Sequence, residues 1–371
     1  MGKITKFFKY YFSDETNFKK FWNKNRSKKE IPDKLREIID NFIKSSSYKM
    51  TSNYWKYLNI KNIKQIIYEG GIENYANTIA LNYFTFFDTS LEMEEDLLNL
   101  ISDQNINLNG KLFLQHPKLG IRESELYNRL VLKLFILINK LNLNNELKSL
   151  SDKGFLGFND PYITVDSINI TSDKLVSLLD YKKIKDIFHK EKINSVLEIG
   201  AGSGRFSETF INLNDNTKYI ICDIPPAIYI NYIRQKKVFN QKKIKLCFDV
   251  KTSVELNNHI KNNDILFIFP HQIKFLHESN IDLVIAIDCI HEMDKKTIRY
   301  YFENVDKFAQ QLYFSVWRST SVPYSSPFKY LMNKLDAENK DDYQIPDNWK
   351  LLNNSKLYFP NNYNGIAYKI K

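Results

Sequence analysis

A glycine-rich turn constrains the fold of this chain more than any other stretch. It lies within residues 196–206, VLEIGAGSGRF, where an apolar run leads into Gly200, Gly202 and Gly204 and an amphipathic segment follows. Glycines are needed where the backbone turns sharply and approaches a ligand with no side chain in between. The stretch therefore predicts a buried strand, a tight ligand-binding turn and a helix.

The same alternation continues from residue 176 to the end of the chain. Apolar runs such as TKYIICDI, DILFIFP, IDLVIAID and QLYFSVW are separated by segments with helical periodicity. This pattern predicts a doubly wound, mostly parallel α/β sheet of the Rossmann-like type. Residues 242–261 fit poorly: they contain either the third strand or an insertion before DILFIFP, and we favour the insertion. On that count IDLVIAID is the fourth strand.

Residues 1–175 predict a separate, mainly helical domain. IPDKLREIIDNFIKS and ELYNRLVLKLFILINKL carry helical periodicity, and residues 151–167 have the Gly, Asn, Pro and Ser content of a junction. At the start of the chain Ile4, Phe7, Phe8 and Tyr11 share one helical face. We favour a helix docked on its own domain over a basic helix lying on a membrane surface.

Composition limits the functional classes. The net charge is +10, but 45 of the 53 basic residues are Lys and only 8 are Arg, spread along the chain. No basic stripe is interleaved with stacking aromatics, which argues against a nucleic-acid partner. Three cysteines without metal-ligand spacing, no signal sequence and no apolar run of about 20 residues predict a cytoplasmic protein.

Two acidic residues flank the predicted turn. Glu198 lies two residues before Gly200, where a carboxylate repels a pyrophosphate and suits an ammonium or sulfonium group. Asp223 ends the next strand, 23 residues after Gly200, where a carboxylate can accept both hydroxyls of a ribose. The alternative for Asp223 is a cap on the following helix, which begins with two prolines.

The pattern E-x-G-x-G-x-G resembles motif I of the class I methyltransferases that use S-adenosylmethionine (SAM). With YIICDIPPAIYINYIRQKKVF and FPHQIKFLHESNIDLVIAIDCIHEM, it is similar to the NanM-like sugar O-methyltransferase family of bacterial surface-polysaccharide loci. The resemblance implies a class I methyltransferase fold over residues 176–371 and methyl transfer to a sugar hydroxyl, on a nucleotide sugar or a glycan. Acceptor recognition, oligomerisation or both would then fall to residues 1–175. The resemblance also implies SAM as the cofactor. The residues expected to bind it are Glu198, Gly200, Ala201, Gly202, Gly204, Asp223, Ile224, Gln272 and Asp288.

The stretch VIAIDCIHEMD, residues 284–294, carries the predicted catalytic groups. Methyl transfer to oxygen needs a base near neutral pKa, so we expect His291 to take the proton of the acceptor hydroxyl. Glu292 would orient the imidazole or serve as the base itself. The alternative is that His291 only hydrogen-bonds a loop while Glu292 and Asp294 begin the next helix. In either case we expect Asp294 to cap that helix. A divalent cation held by Asp288, Glu292 and Asp294 is a further alternative, but these acids are too few and too local to decide, and we do not favour a metal.

Trp317 and Arg318 follow the next strand and are predicted to bind the acceptor, although aromatic packing over the sheet is an equal alternative. We also expect His271 to lie near the adenine.

Two other functions stay open: an O-methyltransferase of an aromatic small molecule, and a non-catalytic SAM-binding scaffold. A base-modifying amino-methylase is disfavoured, because its D/N-P-P loop belongs after the fourth strand and Asp-Ile-Pro-Pro here follows the second.

Overall fold

The computed structural model describes residues 18–51, 53–72, 74, 121–152, 163–165, 168–321, 334–336, 343–360 and 362–371. The predicted helix at the start of the chain lies outside these residues, as does most of the predicted junction at 151–167. Among the described residues, no helix has both the length and the apolar character needed to cross a membrane.

The helices predicted within IPDKLREIIDNFIKS and ELYNRLVLKLFILINKL are present. The segments are α1 Phe18–Asn25, α2 Asp33–Lys44, α3 Ser46–Met50, α4 Asn53–Tyr68, α5 Ile121–Lys140 and α6 Asn144–Asp152. A short antiparallel pair, β1 Ile163–Val165 and β2 Ile168–Ile170, leads into α7 Ser172–Ile187. The predicted domain boundary at 175/176 falls inside α7. The division into two domains stays a prediction.

The C-terminal part has the predicted alternation. Its elements are β3 Ser195–Ile199, α8 Arg205–Leu213, β4 Lys218–Cys222, α9 Ala227–Val238, β5 Ile244–Leu246, α10 Ser253–Asn262, β6 Ile265–Ile268, β7 Ile281–Ile287, α11 Lys295–Phe308, β8 Ala309–Trp317, β9 Ser319–Ser321, β10 Lys334–Asp336, β11 Lys350–Lys356 and β12 Tyr363–Lys369. Two 3₁₀ helices, Pro270–Leu276 and Ile290–Glu292, lie in the connections after β6 and β7.

Eight of these strands form one sheet in the order β11-β12-β8-β7-β3-β4-β6-β5. The pairs from β5 through β8 are parallel, and β12 runs antiparallel between β8 and β11. The mostly parallel, doubly wound sheet predicted from the sequence is therefore confirmed. Its central strands are buried on both faces, which explains their continuous apolar runs.

The interpretation of residues 242–261 as a bare insertion was wrong. They contain β5, a three-residue strand at the edge of the sheet, and the helix α10. IDLVIAID is consequently the fifth strand of the C-terminal part, not the fourth. The extra strand β5 does not separate the central strands, because β6 lies next to β4 and β7 lies next to β3.

The register of the central strands sets where the site can form. Val196 of β3 pairs in parallel with Tyr219 of β4 on one side and with Leu283 of β7 on the other. The carboxyl ends of all three strands therefore meet at one edge. The residues that follow them, Gly200, Asp223 and Asp288, emerge together at this edge, where open α/β sheets bind ligands.

Candidate active site

A cavity of about 280 Å³ opens at the carboxyl ends of β3, β4 and β7. This volume is close to the lower end of the roughly 300–1,000 Å³ range of small-molecule sites. Ten of the predicted site residues line it: Glu198, Gly200, Ala201, Gly202, Asp223, Ile224, Asp288, His291, Glu292 and Trp317. The fold thus brings most of the predicted cofactor and catalytic residues to one place.

The turn after β3 requires glycine for both backbone and steric reasons. Gly200, Gly202 and Gly204 have φ of 69°, 54° and 81°, in the left-handed region. A Cβ on Gly200 would lie 2.7 Å from both Cβ and Sγ of Cys289, since β3 and β7 are neighbours. A Cβ on Gly204 would meet the Asn231 side chain on α9. Gly204 therefore allows the turn to pack closely against α9, and it does not line the cavity.

Asp223 ties this turn to the end of β4. Its Oδ2 accepts a hydrogen bond from the Gly202 N–H at 2.7 Å, and its Oδ1 accepts one from the Ile224 N–H at 2.6 Å. Burial raises the pKa of Asp223 to about 7, and these two bonds partly offset the shift. A carboxylate has about four acceptor positions, so two remain for hydroxyl donors from a ligand.

Glu198 lies deeper in the wall. It is 2% exposed, and its Oε2 accepts a hydrogen bond from the Tyr219 hydroxyl at 2.9 Å. Burial raises the pKa of Glu198 to about 8, so the unliganded side chain is mostly protonated at pH 7. A cationic ligand would favour the ionised form, so binding such a ligand would release a proton.

His291 lies beside Asp288. Nε2 of His291 lies 3.5 Å from Oδ1 of Asp288. Burial lowers the pKa of His291, and the Asp288 carboxylate offsets part of the shift, so the imidazole is neutral at pH 7. We expected Glu292 to orient this ring, but the carboxylate beside it is Asp288, which the sequence assigned to the cofactor. Glu292 lines the cavity nearby.

Two aromatic residues surround the histidine. Trp317 stacks on His291 with ring centroids 5.6 Å apart and an angle of 19° between the planes. Tyr363 packs edge-on against both rings, at 6.0 Å from His291 and 5.9 Å from Trp317. Trp317 is 43% exposed and lines the cavity, so part of its ring is available to a ligand.

Other predicted residues lie elsewhere. Gln272 is fully buried outside the cavity lining, where its amide donates to the Cys247 and Val250 carbonyls and accepts from the Phe269 N–H. Because each of these bonds is to backbone, Gln272 holds the loop and not a ligand. Arg318 is exposed and outside the lining. Asp294 caps α11 as predicted, accepting from the Thr297 N–H at 2.7 Å.

Sequence reasoning missed a wall of the cavity that comes from the helical N-terminal part. Its residues are Ser47, Met50, Thr51 and Trp55. The Ser47 hydroxyl accepts a hydrogen bond from the backbone N–H of His271 at 2.9 Å. The same hydroxyl lies 2.9 Å from Nδ1 of the His271 ring. His271 therefore anchors the wall and is not itself among the lining residues. Residues so far apart in sequence carry no local signal of this contact.

No group of three or more potential metal-ligating side chains occurs in the part of the chain that the structure describes. No protein-family model matches the chain, and no curated protein sequence matches it.

Solved structures resemble the chain at low identity. The pyocyanin biosynthetic protein PhzM matches with a TM-score of 0.33 and 12% identity over 53% of this chain and 56% of its own. An O-methyltransferase family 2 protein from Planctomyces limnophilus, in complex with apigenin, matches with a TM-score of 0.32 and 10% identity over 53% and 61%. The plantazolicin methyltransferase BpumL, in complex with SAH, matches with a TM-score of 0.34 and 10% identity over 53% and 84%. The chain spans less than two thirds of the first two proteins. We draw no functional conclusion from likenesses of this size.

Proposed function

We propose that the chain is a SAM-dependent O-methyltransferase that acts on a sugar hydroxyl, on a nucleotide sugar or a glycan. One observation carries this proposal: the left-handed glycine turn, Asp223 and the neutral His291 all open into the same cavity. A site for nucleoside binding and a base for a hydroxyl proton are thereby adjacent. Neither feature alone would distinguish an enzyme from a binding module.

The residues present fit the cofactor. The turn from Gly200 to Gly202 presents only the small Ala201 side chain to the cavity, and Asp223 keeps two acceptor positions for ribose hydroxyls. Glu198 is buried below the turn, where its ionised form would suit a cationic amino-acid portion. When bound, SAM supplies an electrophilic methyl group.

The chain's own residues then have to align the acceptor and remove its proton. His291 is neutral at pH 7, so it can take the proton of an acceptor hydroxyl, and Asp288 lies where it stabilises the resulting imidazolium. Alignment of the reacting groups is worth on the order of 7–11 kcal/mol in favourable cases. The cavity walls from α3, α4 and β8 provide that alignment and reduce access of water.

Trp317 supports an acceptor with a flat or ring-shaped face. Its ring is 43% exposed beside His291, and sugar rings commonly lie on such aromatic faces. A phenol would stack there equally well, so an aromatic small molecule is the second candidate acceptor. We further propose that residues 1–175 take part in acceptor recognition, because Met50 and Trp55 line the cavity.

Cofactor binding is tested by thermal unfolding of the full chain with and without S-adenosylhomocysteine. A ligand at about 100 times its Kd stabilises the folded state by about 2.7 kcal/mol, which raises the unfolding midpoint by several degrees. We expect this rise in the wild type and its loss in Asp223→Ala. Asp264→Ala is the matched control, since Asp264 also accepts a backbone N–H, from Lys243, but at the opposite end of the strands.

The acceptor is tested with radiolabelled SAM against nucleotide sugars, free glycans and phenols. We expect transfer to a sugar hydroxyl, with His291→Ala reducing the rate by about 100-fold or more. A well-folded wild type with no thermal shift contradicts the cofactor assignment. Transfer to phenols alone contradicts the sugar assignment, and binding without any transfer favours the scaffold alternative.

A further inference from the structure

The helix α8 begins immediately after the glycine turn, and its amino end opens into the cavity. Ser203 of the turn and Arg205 and Phe206 of the first helical turn all line the cavity. The helix has nine residues, and its N-cap is Gly204, which has no side chain with which to cap it. The N–H groups of the first turn therefore present the partial positive charge that favours an anion.

Two polar side chains at this helix end lack hydrogen-bond partners among the described residues. Ser203 is 3% exposed, and its hydroxyl oxygen is buried and unpaired. Nη1 of Arg205 is also buried and unpaired, on a side chain that is 15% exposed. Most buried polar atoms in native proteins are hydrogen-bonded, so two unpaired ones in the wall of one cavity indicate a ligand group that binds between them.

Arg205 is placed by an acidic residue of another helix. Oδ1 of Asp173, on α7, lies 4.0 Å from Nη1 of Arg205, which is within the range of an ion pair but too long for a hydrogen bond. Asp173 is itself buried. The contact therefore fixes the position of the guanidinium and leaves the hydrogen bonds of Nη1 for a different acceptor.

The charges along the cavity wall favour one position for an anionic group. Arg205 is the single Lys or Arg among the described residues that line the cavity. Five carboxyl groups line it as well: Glu198, Asp223, Asp288, Glu292 and Asp294. Ionised carboxyl groups repel an anion elsewhere along the wall, so an anionic group pairs favourably at Arg205. A planar guanidinium suits a carboxylate, which accepts two parallel hydrogen bonds from it.

We propose that Ser203, Arg205 and the amino end of α8 form a subsite that binds a carboxylate group of a ligand. The proposal rests on the proposed function for the ligands that bring this group. One source is the carboxylate of the amino-acid portion of the cofactor, and the other is the carboxylate of an acidic sugar acceptor. The chemistry of recognition is the same for both, and the test separates them.

The test uses pairs of ligands that differ by a carboxylate, with Kd measured by isothermal titration calorimetry on the full chain. The first pair is S-adenosylhomocysteine and its decarboxylated analogue, which keeps the adenosine, the thioether and the amino group. The second pair is glucuronate and glucose, titrated with S-adenosylhomocysteine present. The comparison within each pair is made first in the wild type, where no substitution can disturb the fold.

The variants are Arg205→Gln, Arg205→Lys and Ser203→Ala, each checked for a wild-type-like unfolding transition. Arg299→Gln is the matched control, because it also removes one arginine charge. The Arg299 side chain is exposed on α11, donates to the Gln344 side chain and lies outside the cavity lining.

We expect the wild type to prefer the carboxylate-bearing member of one pair by about 10- to 100-fold in Kd, the range of a hydrogen bond to a charged group. A preference in the first pair assigns the subsite to the cofactor, and a preference in the second pair alone assigns it to an acidic acceptor. Arg205→Gln should abolish the preference without changing the Kd of the ligand that lacks the carboxylate.

The other variants should follow the donors that they retain. Arg205→Lys should keep part of the preference, because lysine keeps the charge but not the planar pair of donors. Ser203→Ala should reduce the preference about fivefold, and Arg299→Gln should leave it unchanged.

Equal Kd values within both pairs in the wild type, or a preference that survives Arg205→Gln, would overturn the proposal. Binding of S-adenosylhomocysteine without any preference for a carboxylate leaves the proposed function standing and removes the subsite. A preference that depends on Arg205, in a chain that transfers no methyl group to any acceptor, leaves the subsite standing while the proposed function fails. A chain that binds none of the four ligands contradicts both.

Discussion

Gly200 and Gly71 have nearly the same φ in different surroundings. Their φ values are 69° and 70°, but a Cβ on Gly200 would lie 2.7 Å from Cys289, whereas a Cβ on Gly71 would meet nothing within 4 Å. Alanine at either position is held in the left-handed region, which costs roughly 1–2 kcal/mol. Only Gly200→Ala adds a steric clash inside the sheet edge.

We expect Gly71→Ala to lower the free energy of unfolding by about 1 kcal/mol and Gly200→Ala to lower it by about 3 kcal/mol, since overpacking adds roughly 1–3 kcal/mol. Urea denaturation of both variants measures the difference. The clash would also displace the turn, so Gly200→Ala should lose the thermal shift with S-adenosylhomocysteine while Gly71→Ala keeps it. Equal losses of stability would show that Cys289 yields to the added methyl group.

Residue chemistry also divides the predicted site into two kinds of position. Asp223 and His291 were predicted from an acid after the second strand and a histidine after a buried strand, and both residues line the cavity. Gln272 was predicted to bind the cofactor, but its amide lies outside the cavity lining and donates to loop carbonyls. A buried amide with such partners has the same sequence signature as one that binds a ligand. Only the partners of its side chain distinguish the two.

The helices behind the glycine turn are joined by a buried ion pair. Arg234 of α9 donates through Nε to Oε2 of Glu208 of α8 at 2.8 Å, and both side chains are almost fully buried. The next residue of α9, Gln235, donates to the Gly204 carbonyl. This contact connects the two helices just behind the turn that forms the cofactor cradle.

Glu208→Gln is expected to lower the free energy of unfolding by about 3–5 kcal/mol, because it removes the negative charge that pairs with the buried Arg234 guanidinium. Glu37→Gln is the matched control: Glu37 pairs with Lys34 at the surface of α2, where such a pair is worth about 1 kcal/mol or less. Chemical denaturation of both variants provides the comparison. A loss at Glu208 no larger than that at Glu37 would contradict a stabilising role for the buried pair.

At the scale of elements, prediction succeeded where the periodicity was long. The helices α2, α5 and α11 carry a helical apolar period, and the strands β3, β4 and β7 are short apolar runs that alternate with helices. It failed at β5, because three residues with partial burial at a sheet edge leave almost no pattern. Whether such a segment pairs is decided by the neighbouring strand β6, which local sequence does not report.

Three buried carboxyl groups near the cavity make the stability of the whole molecule depend on pH. Burial raises the pKa of Asp180 to about 7, that of Asp223 to about 7 and that of Glu198 to about 8. All three are ionised in the unfolded chain above pH 5, so the folded state binds more protons between pH 5 and 8. The free energy of unfolding must then fall as the pH rises through this range.

The histidines act in the opposite sense only below their unfolded pKa of 6.5, because burial lowers the pKa of His271 and of His291. We therefore expect the urea midpoint of the unliganded chain to decrease between about pH 6.5 and about pH 8. Glu198→Gln should flatten the upper part of this decrease. A midpoint that rises over the same interval would contradict the assigned protonation states.

The sequence by itself determined the alternation of strands and helices, the glycine turn, the acids at the ends of β3 and β4 and the histidine after β7. Each is a local property, since apolar periodicity and the conformational freedom of glycine act within a few residues. It did not determine that Asp288 rather than Glu292 lies beside His291, that Tyr363 comes from the last strand, or that Ser47 and Trp55 close the cavity. Those contacts join residues tens to hundreds of positions apart or depend on the left-handed φ of Asp288, so only the packed sheet and its register decide them.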